Sequence, residues 1–319
     1  MARKKTTPVT PLPPRNGLGA TRARVPEDAE LTAFEFVAHL VATQRHRHPE
    51  DTPDAVAARF AAGEVVARDG TLFAPDDVVP PGTDVFFYRR PAPERKVPHQ
   101  IEVVYEDEGI MVVDKPAFLA TMPRAAHITE TATVRLRRAT GNEELTPAHR
   151  LDRATSGLLL LTKRRELRGP YQELFARREV SKKYEAIAPL RPMQAPATWA
   201  HHLAKVPGEV ATTWDEHAEP NSFTELLKVE QLLHDELTHL QRLHHTTEPL
   251  ARYTLRPITG RTHQLRVQMM LEAAPILGDR IYPTPLPAET EDFDAPMRLR
   301  CVHLGFADPL SGEQRSFAL

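Results

Sequence analysis

Apolar residues recur at positions 31, 34, 37, 38 and 41, the period of a helix with one buried face, so the pattern predicts a helix over Leu31–Thr43. A second, shorter helix is expected in "DAVAARFAA", with Thr52 as N-cap, Pro53 in the first turn and Gly63 just past the end. The texture then changes to that of strands. "EVVARDGTLF" reads as a hairpin on a D-G turn, and "GTDVFFYRR" as another strand. Two helices and a small sheet make a compact module that ends near Glu94, with "PAPERKVP" as a linker.

From Ile101 the strand candidates are longer and more apolar. "IEVVYED" and "GIMVVDKP" flank a tight acidic turn, and "GLLLLTK", "KKYEAIAPL", "ARYTLRPI" and "RCVHLGFADP" follow. "RELRGPYQELFARR" reads as a helix between them. Strands at hairpin spacing with occasional helices predict an α+β domain on a large, mostly antiparallel mixed sheet with flanking helices, not a βαβ repeat. "VEQLLHDELTHLQRLHHTT" is read as an added helix. The opening "MARKKTTPVTPLPPRNGLGATRAR" has few apolar residues and many breakers, and predicts a flexible arm. The expected organisation is an arm over 1–26, a small module over 27–96 and a large domain over 97–319.

Composition changes this picture in two places. The 319 residues are 41% apolar and 26% charged, ordinary for a globular protein, but there are thirty prolines against fourteen glycines, which implies stiffened connections. The net charge of −2 hides an uneven distribution. Met1–Val25 carries six Lys or Arg and no acid, and His149–Lys183 carries ten basic residues against four acidic. Glu209–Pro249 reverses the balance, with nine acidic and two basic. A basic stripe of this kind has the form of an electrostatic footprint for phosphates. Cys301 is the only cysteine, which excludes an internal disulfide and a Cys-based zinc site. No apolar run is long enough to span a membrane, and the basic N-terminus lacks the apolar core of an export signal, so the cytoplasm is expected. "GLGATR" lacks the third glycine and the preceding strand of a dinucleotide fingerprint.

Three segments put polar residues at the lips of strands: "HRLDRATSGLLLLTK", "SKKYEAIA" and "GRTHQLRVQ". On residues alone, Asp152 between Arg150 and Arg153 is either a structural ion-pair partner or a group that does chemistry. A carboxylate working in a partly apolar cleft needs an opposite charge to stay ionised, and arginine suits that role because it does not lose its own. An aromatic beside the pair offers a flat face to a planar base. Asp152, Tyr184 and Arg266 are therefore the candidate triad.

These strings carry a resemblance. His149–Lys163, "K.Y.A" at Lys182–Ala186, "GRTHQLR" at Gly260–Arg266 and "PILGDRIY" at Pro275–Tyr282 resemble the motifs of the RluA-type RNA pseudouridine synthases. "YEDEGIMVVDKP" matches that family's entry strands, and the resemblance runs from about Val97 to the C-terminus. It implies the pseudouridine synthase catalytic fold and the isomerisation of specific uridines in structured RNA, a large-subunit ribosomal RNA or transfer RNA stem-loop. It implies Asp152 as the catalytic aspartate, attacking a flipped-out uridine at its anomeric carbon or at the uracil ring. Tyr184 would stack on the uracil and accept or relay the proton lost from carbon 5, and Arg266 would pair with Asp152. Arg150 would enter the stack in place of the extruded base, offsetting part of an unstacking cost of a few kcal/mol. Arg153 would contact RNA, and Arg261 and His263 would either contact RNA or satisfy backbone carbonyls. No metal, nucleotide or redox cofactor is implied, and no membrane; the chain is expected to act as a monomer. The 27–96 module is similar to a helix–helix–hairpin RNA-binding module shared with a ribosomal small-subunit protein, with its basic recognition helix diluted to "DAVAARFAAGE".

The chain departs from the family at Gln268, where a histidine is usual, and at "LRC" (Leu299–Cys301), where "LHA" is usual. Seven of the fifteen histidines fall between His201 and His245, but "HDELTH" spaces His234 and His239 five apart, against the four of a zinc-protease helix. Rival readings are weak. "HRLD" is not a kinase "HRD", since neither a glycine-rich loop nor "DFG" accompanies it. A glycosidase would need a second acid across the cleft. The serious alternative is an RNA- or ribosome-binding protein that keeps the fold without turnover, against which the intact Asp152, Tyr184 and Arg266 stand.

Overall fold

The computed structural model describes residues 11–28, 30–287 and 291–319. The chain falls into two compact units: the residues up to Lys96 with Pro123–Glu143, and Val97–Met122 with Glu144–Leu319.

In the first unit, strands β1 (Thr21–Arg24), β3 (Val65–Ala67) and β5 (Asp84–Phe87) form a sheet in the order β1-β5-β3, and β2 (Leu31–Thr32) pairs with β4 (Val78–Val79). Helices α1 (Ala33–Ala42) and α2 (Pro53–Ala61) stand where the apolar period places them. Thr32 and Glu35 close a reciprocal capping box on α1, and Thr52 caps α2 ahead of Pro53. Phe36, Val37, Val41, Val56, Phe60, Val85 and Phe87 make the core. The D-G hairpin is present, closed by Ala67 N–H donating to Thr71 O at 2.8 Å.

The expected arm over 1–26 needs correction at its C-terminal end. Its first ten residues lie outside the described residues, but Leu12 and Val25 are buried and β1 pairs with β5 throughout. The arginines of "TRAR" hide a half-buried alternation, and Arg22 is held by Asp84 at 2.9 Å. A helix not read from the sequence, α3 (Ala132–Thr140), completes this unit. Gly17, at φ +78°, lies so close to it that a Cβ would come within 2.8 Å of the Val134 carbonyl oxygen. Arg138 Nε donates to Asn16 O at 2.8 Å across the same contact.

The second unit is an eleven-stranded sheet. Its strands are β6 (Glu102–Glu106), β7 (Ile110–Lys115), β8 (Thr146–Pro147), β9 (Ser156–Thr162), β10 (Ser181–Pro189), β11 (Ala197–Ala204), β12 (Thr213–Asp215), β13 (Ser222–Gln231), β14 (Leu250–Pro257), β15 (Leu299–Ala307) and β16 (Gln314–Ala318). The order is β12-β11-β13-β14-β10-β15-β9-β7-β6, with β16 on β15 and β8 on β9. Every pairing is antiparallel except β15 with β9, so the fold is the expected mostly antiparallel α+β sheet. Helices α4 (Arg168–Ala176), α5 (His234–Leu243) and α6 (Gln264–Leu271) accompany it. Leu158–Leu161 are wholly buried, as a strand covered on both faces requires. No helix among the described residues is long and apolar enough to cross a membrane.

The added helix is shorter than expected. Val229–Gln231 finish β13, and only His234–Leu243 is helical. A register shift between Leu226 and Lys228 breaks the two-residue alternation, which leaves a run of apolar residues that mimics helical spacing.

The parallel β9–β15 pair lies in the interior of the sheet, with Cys301 opposite Gly157. Gly157 sits at φ +106°, and a Cβ there would lie well inside contact distance of the Cys301 backbone. Gly157→Ala is therefore expected to destabilise the protein by roughly 3 kcal/mol or more, read from chemical or thermal unfolding. A variant with wild-type stability would show that the strands separate without penalty.

Candidate active site

Asp152 lies in the turn between β8 and β9, and that turn is pinned from below. The Thr121 hydroxyl donates to Leu151 O at 2.8 Å and accepts from Leu151 N–H at 3.1 Å. His149 Nε2 accepts from Leu160 N–H at 3.2 Å while its ring stacks on Phe175 at 4.3 Å. Burial, with the Lys182 charge, lowers the His149 pKa to about 3, so the neutral ring that this acceptor role needs is secured. The loop therefore presents Asp152, whose side chain is 32% exposed, at the floor of a cleft of about 530 Å³.

The other two members of the triad reach the same cleft, Tyr184 from β10 and Arg266 from α6. Arg266 is 3% exposed, and its principal partner is Asp279, not Asp152. Nε and Nη2 each donate to a different Asp279 oxygen at 2.7 Å, a two-pronged contact that fixes the guanidinium plane. Nη1 then stands 3.6 Å from Asp152 Oδ2. Burial opposes the Arg266 charge, but the bonds and charge of Asp279, with that of Asp152, outweigh it and raise the pKa further. Asp279 is itself anchored by Ile281 N–H at 2.8 Å and Tyr282 N–H at 3.1 Å.

Tyr184 faces Cys301 across a register shift between Lys183 and Tyr184. Burial, the Cys301 thiol and the Asp152 charge together raise its pKa well above the ordinary phenol value, so the hydroxyl stays protonated. Cys301 is pushed up to about 12 by burial and is a packed thiol, not a nucleophile.

Of the expected RNA contacts, Arg150, Arg261 and His263 line the cleft and Arg153 does not. Arg150 is exposed at the lip. Arg261 is also exposed, and its Nε donates to Asn221 O at 3.3 Å. His263, in the left-handed region at φ 55°, meets the Tyr282 hydroxyl through Nδ1 at 2.9 Å and lies 3.9 Å from Asp152 Oδ2 through Nε2. Burial lowers its pKa against the pull of Asp152. Arg153 instead grips Glu291 with both terminal nitrogens, its plane 5.8 Å from the Phe118 ring centre.

Gln268, where the family usually has a histidine, is fully buried and accepts from the Thr224 hydroxyl at 2.6 Å. Gln264 extends the network to Thr224, Thr259 and the Phe223 carbonyl, bracing α6 behind Arg266. The histidine-rich stretch gathers no group of three potential metal ligands among the described residues.

Sequence reasoning gave no role to Asp279 or to the burial of Lys115. The only trace of Asp279 is one acid after the glycine of "ILGD". Lys115 is completely buried, and its ammonium donates to Pro116 O and Leu119 O at 2.8 Å and approaches Arg153 O at 3.5 Å. It thus ties the end of β7 to the turn that carries Asp152. Burial lowers its pKa to about 7, against the Asp152 charge, which favours the proton. Lys115→Met leaves those carbonyls unmatched and is expected to lose about 3 kcal/mol or more in urea unfolding. The folded state sheds the Lys115 proton before the unfolded chain does. The lysine's contribution to stability therefore grows as pH rises from about 7 toward the ordinary 10.5, and that limb should disappear in the variant.

Comparison with known proteins gives the family. The model of a family described as RNA pseudouridylate synthase matches residues 109–271. The dual-specificity RNA pseudouridine synthase RluA of Escherichia coli O6:H1 is 31% identical over 216 residues, which is 67% of this chain and 90% of that protein. The protein of the same name from Pasteurella multocida is 30% identical over 223 residues, 68% of this chain and 92% of its own. Among solved structures, human RNA pseudouridylate synthase domain containing 1 shares the fold, with a TM-score of 0.54 at 24% identity, covering 69% of this chain and 83% of that one.

Proposed function

The chain belongs to the RNA pseudouridylate synthase family, as an enzyme of the RluA type that isomerises uridine in RNA, and from that premise we propose that Asp152 begins the reaction on a uridine turned out of its stack. The carboxylate attacks the anomeric carbon or the uracil ring, and the bond from C1′ to N1 breaks. The uracil turns while held, a bond from C1′ to C5 forms in its place, and the carboxylate is released, displaced from C1′ by C5 in the first case or eliminated from the ring in the second. The C5 proton leaves and N1 gains one, so atoms and electrons balance without an oxidant, a reductant or water.

Tyr184 supplies the flat face on which the uracil turns. A phenol held neutral gives up its own proton as it takes another, so its part in the C5 transfer is a relay. Arg266 keeps an invariant positive charge beside Asp152, aligned by Asp279. Arg150 fills the gap left by the extruded base, and Arg261 and His263 meet the RNA at the rim. The observation that carries this reading is the half-exposed Asp152 carboxylate facing one nitrogen of a guanidinium that Asp279 has already locked.

We infer that the substrate is a stem-loop of ribosomal or transfer RNA, in keeping with the dual specificity in the relatives' name. The test is to map pseudouridine by carbodiimide primer extension in cells lacking the protein. A site lost in those cells should return with the wild-type gene and not with Asp152→Asn. An unchanged map would overturn the reading. The purified enzyme, stripped with EDTA and assayed in monovalent salt on a short stem-loop, is expected to keep its full rate, because the carboxylate and Arg266 supply the charges that the steps need. Loss of rate restored by zinc would reopen the histidine-rich segment.

A further inference from the structure

The first unit contains a cleft of about 930 Å³ that shares no lining residue with the Asp152 site. Stretches 15–21, 44–46, 88–94 and 123–138 converge on it. Its walls carry the guanidinium groups of Arg15, Arg45, Arg89, Arg90 and Arg138 and one carboxylate, Glu94. That carboxylate is already engaged, accepting from Ile128 N–H at 3.1 Å, Thr129 N–H at 2.6 Å and the Thr129 hydroxyl at 2.7 Å. Arg90 and Arg15 have exposed pairings with Glu50 and Glu64, whereas Arg45 and Arg89 are exposed and form no ion pair among the described residues.

Two further features point to a ligand that only accepts hydrogen bonds. Gln44, on the cleft wall, has a buried Nε2 with no hydrogen-bond partner among the described residues. A buried amide donor is costly until an acceptor arrives. Arg15 lies over the Tyr88 ring at 4.0 Å, which orders a guanidinium and an aromatic face at the cleft mouth. Guanidinium forks match phosphate geometry, and several of them on separate segments suit an anion with charges at intervals. Helix α2 carries only one basic residue, Arg59, which is buried and paired with Asp51 at 2.7 Å.

We propose that this cleft is a second RNA-binding site, holding phosphodiesters of the substrate RNA other than those at the reacting uridine. The proposal rests on the reading of RNA as the substrate.

The test uses the full chain, a fluorescein-labelled RNA stem-loop of mixed sequence and the double variant R45Q/R89Q, with R45E as a second variant at an exposed position. Affinity is measured by anisotropy at several salt concentrations, together with the RNA concentration that gives half-maximal turnover. The double variant should bind roughly tenfold more weakly or worse, and its plot of log affinity against log salt should be shallower by about 1.4, two phosphate contacts at about 0.7 each. Half-maximal turnover should move to higher RNA in step. Folded variants with unchanged affinity and slope overturn the site. So does binding of poly-glutamate that R45Q/R89Q abolishes and that leaves RNA affinity unchanged, which would assign the cleft to an acidic protein. If wild type binds RNA with the arginine-dependent slope but forms no pseudouridine, the cleft stands and the catalytic reading fails.

Discussion

Asp152→Asn is expected to abolish pseudouridine formation while RNA affinity stays within a few-fold. An amide has nearly the shape of the carboxylate, but its oxygen is uncharged and far too weak a nucleophile to displace uracil or add to its ring, so chemistry fails at its first step. The side chain is 32% exposed and makes no hydrogen bond shorter than its 3.6 Å approach to Arg266, so the fold loses little. Arg266 keeps its two bonds to Asp279 and stays neutralised. Affinity comes mostly from phosphate contacts, which the substitution leaves in place, and removing a negative charge from the cleft does not repel a polyanion. The measurement is release of tritium from RNA labelled at uracil C5, which follows the proton that the isomerisation must expel. Measurable release by the pure variant would take Asp152 out of its role.

Arg266→Lys should cost on the order of a hundredfold in single-turnover rate although the charge is kept. The guanidinium does two things at once: it spans both oxygens of Asp279 through Nε and Nη2, and it turns Nη1 toward Asp152. An ammonium on a flexible stem cannot hold both, and a displacement of about 1 Å at a reacting group is enough for a loss of that size. Asp279, 1% exposed on its side chain, would also be left with only its backbone donors. Asp279→Asn separates the two effects, since it frees the guanidinium without moving its charge. Its rate should fall less than that of Arg266→Lys, with RNA affinity near normal in both. Near-normal rates for Arg266→Lys would show that the alignment by Asp279 is idle.

How much of this was legible in the sequence depends on what each residue had to declare. The four buried leucines of β9 and the alternation of β10 gave away a sheet, and the string around Asp152 gave away the family. Pairing was less visible. Two carboxylates and one guanidinium can be named from the chain, but which carboxylate holds the guanidinium depends on the turn after α6, where Asp279 is brought under Arg266. α3 escaped because Val134 and Leu136 stand two apart, as in a strand, with arginines between and after them. The end of the arm escaped because the buried face of β1 is made by alternation in a short basic segment.

The insertion of α3 into the first unit reaches into how the protein is made. α3 joins that unit only after the ribosome has delivered Thr140, yet Val97–Met122, which belong to the other unit, emerge first. At about 5–20 residues per second, the pause lasts a few seconds, during which the nascent module lacks its last helix and the sheet has only β6 and β7. A chain cut at Glu94 would therefore lack α3 and the contacts that Asn16 and Gly17 make with it.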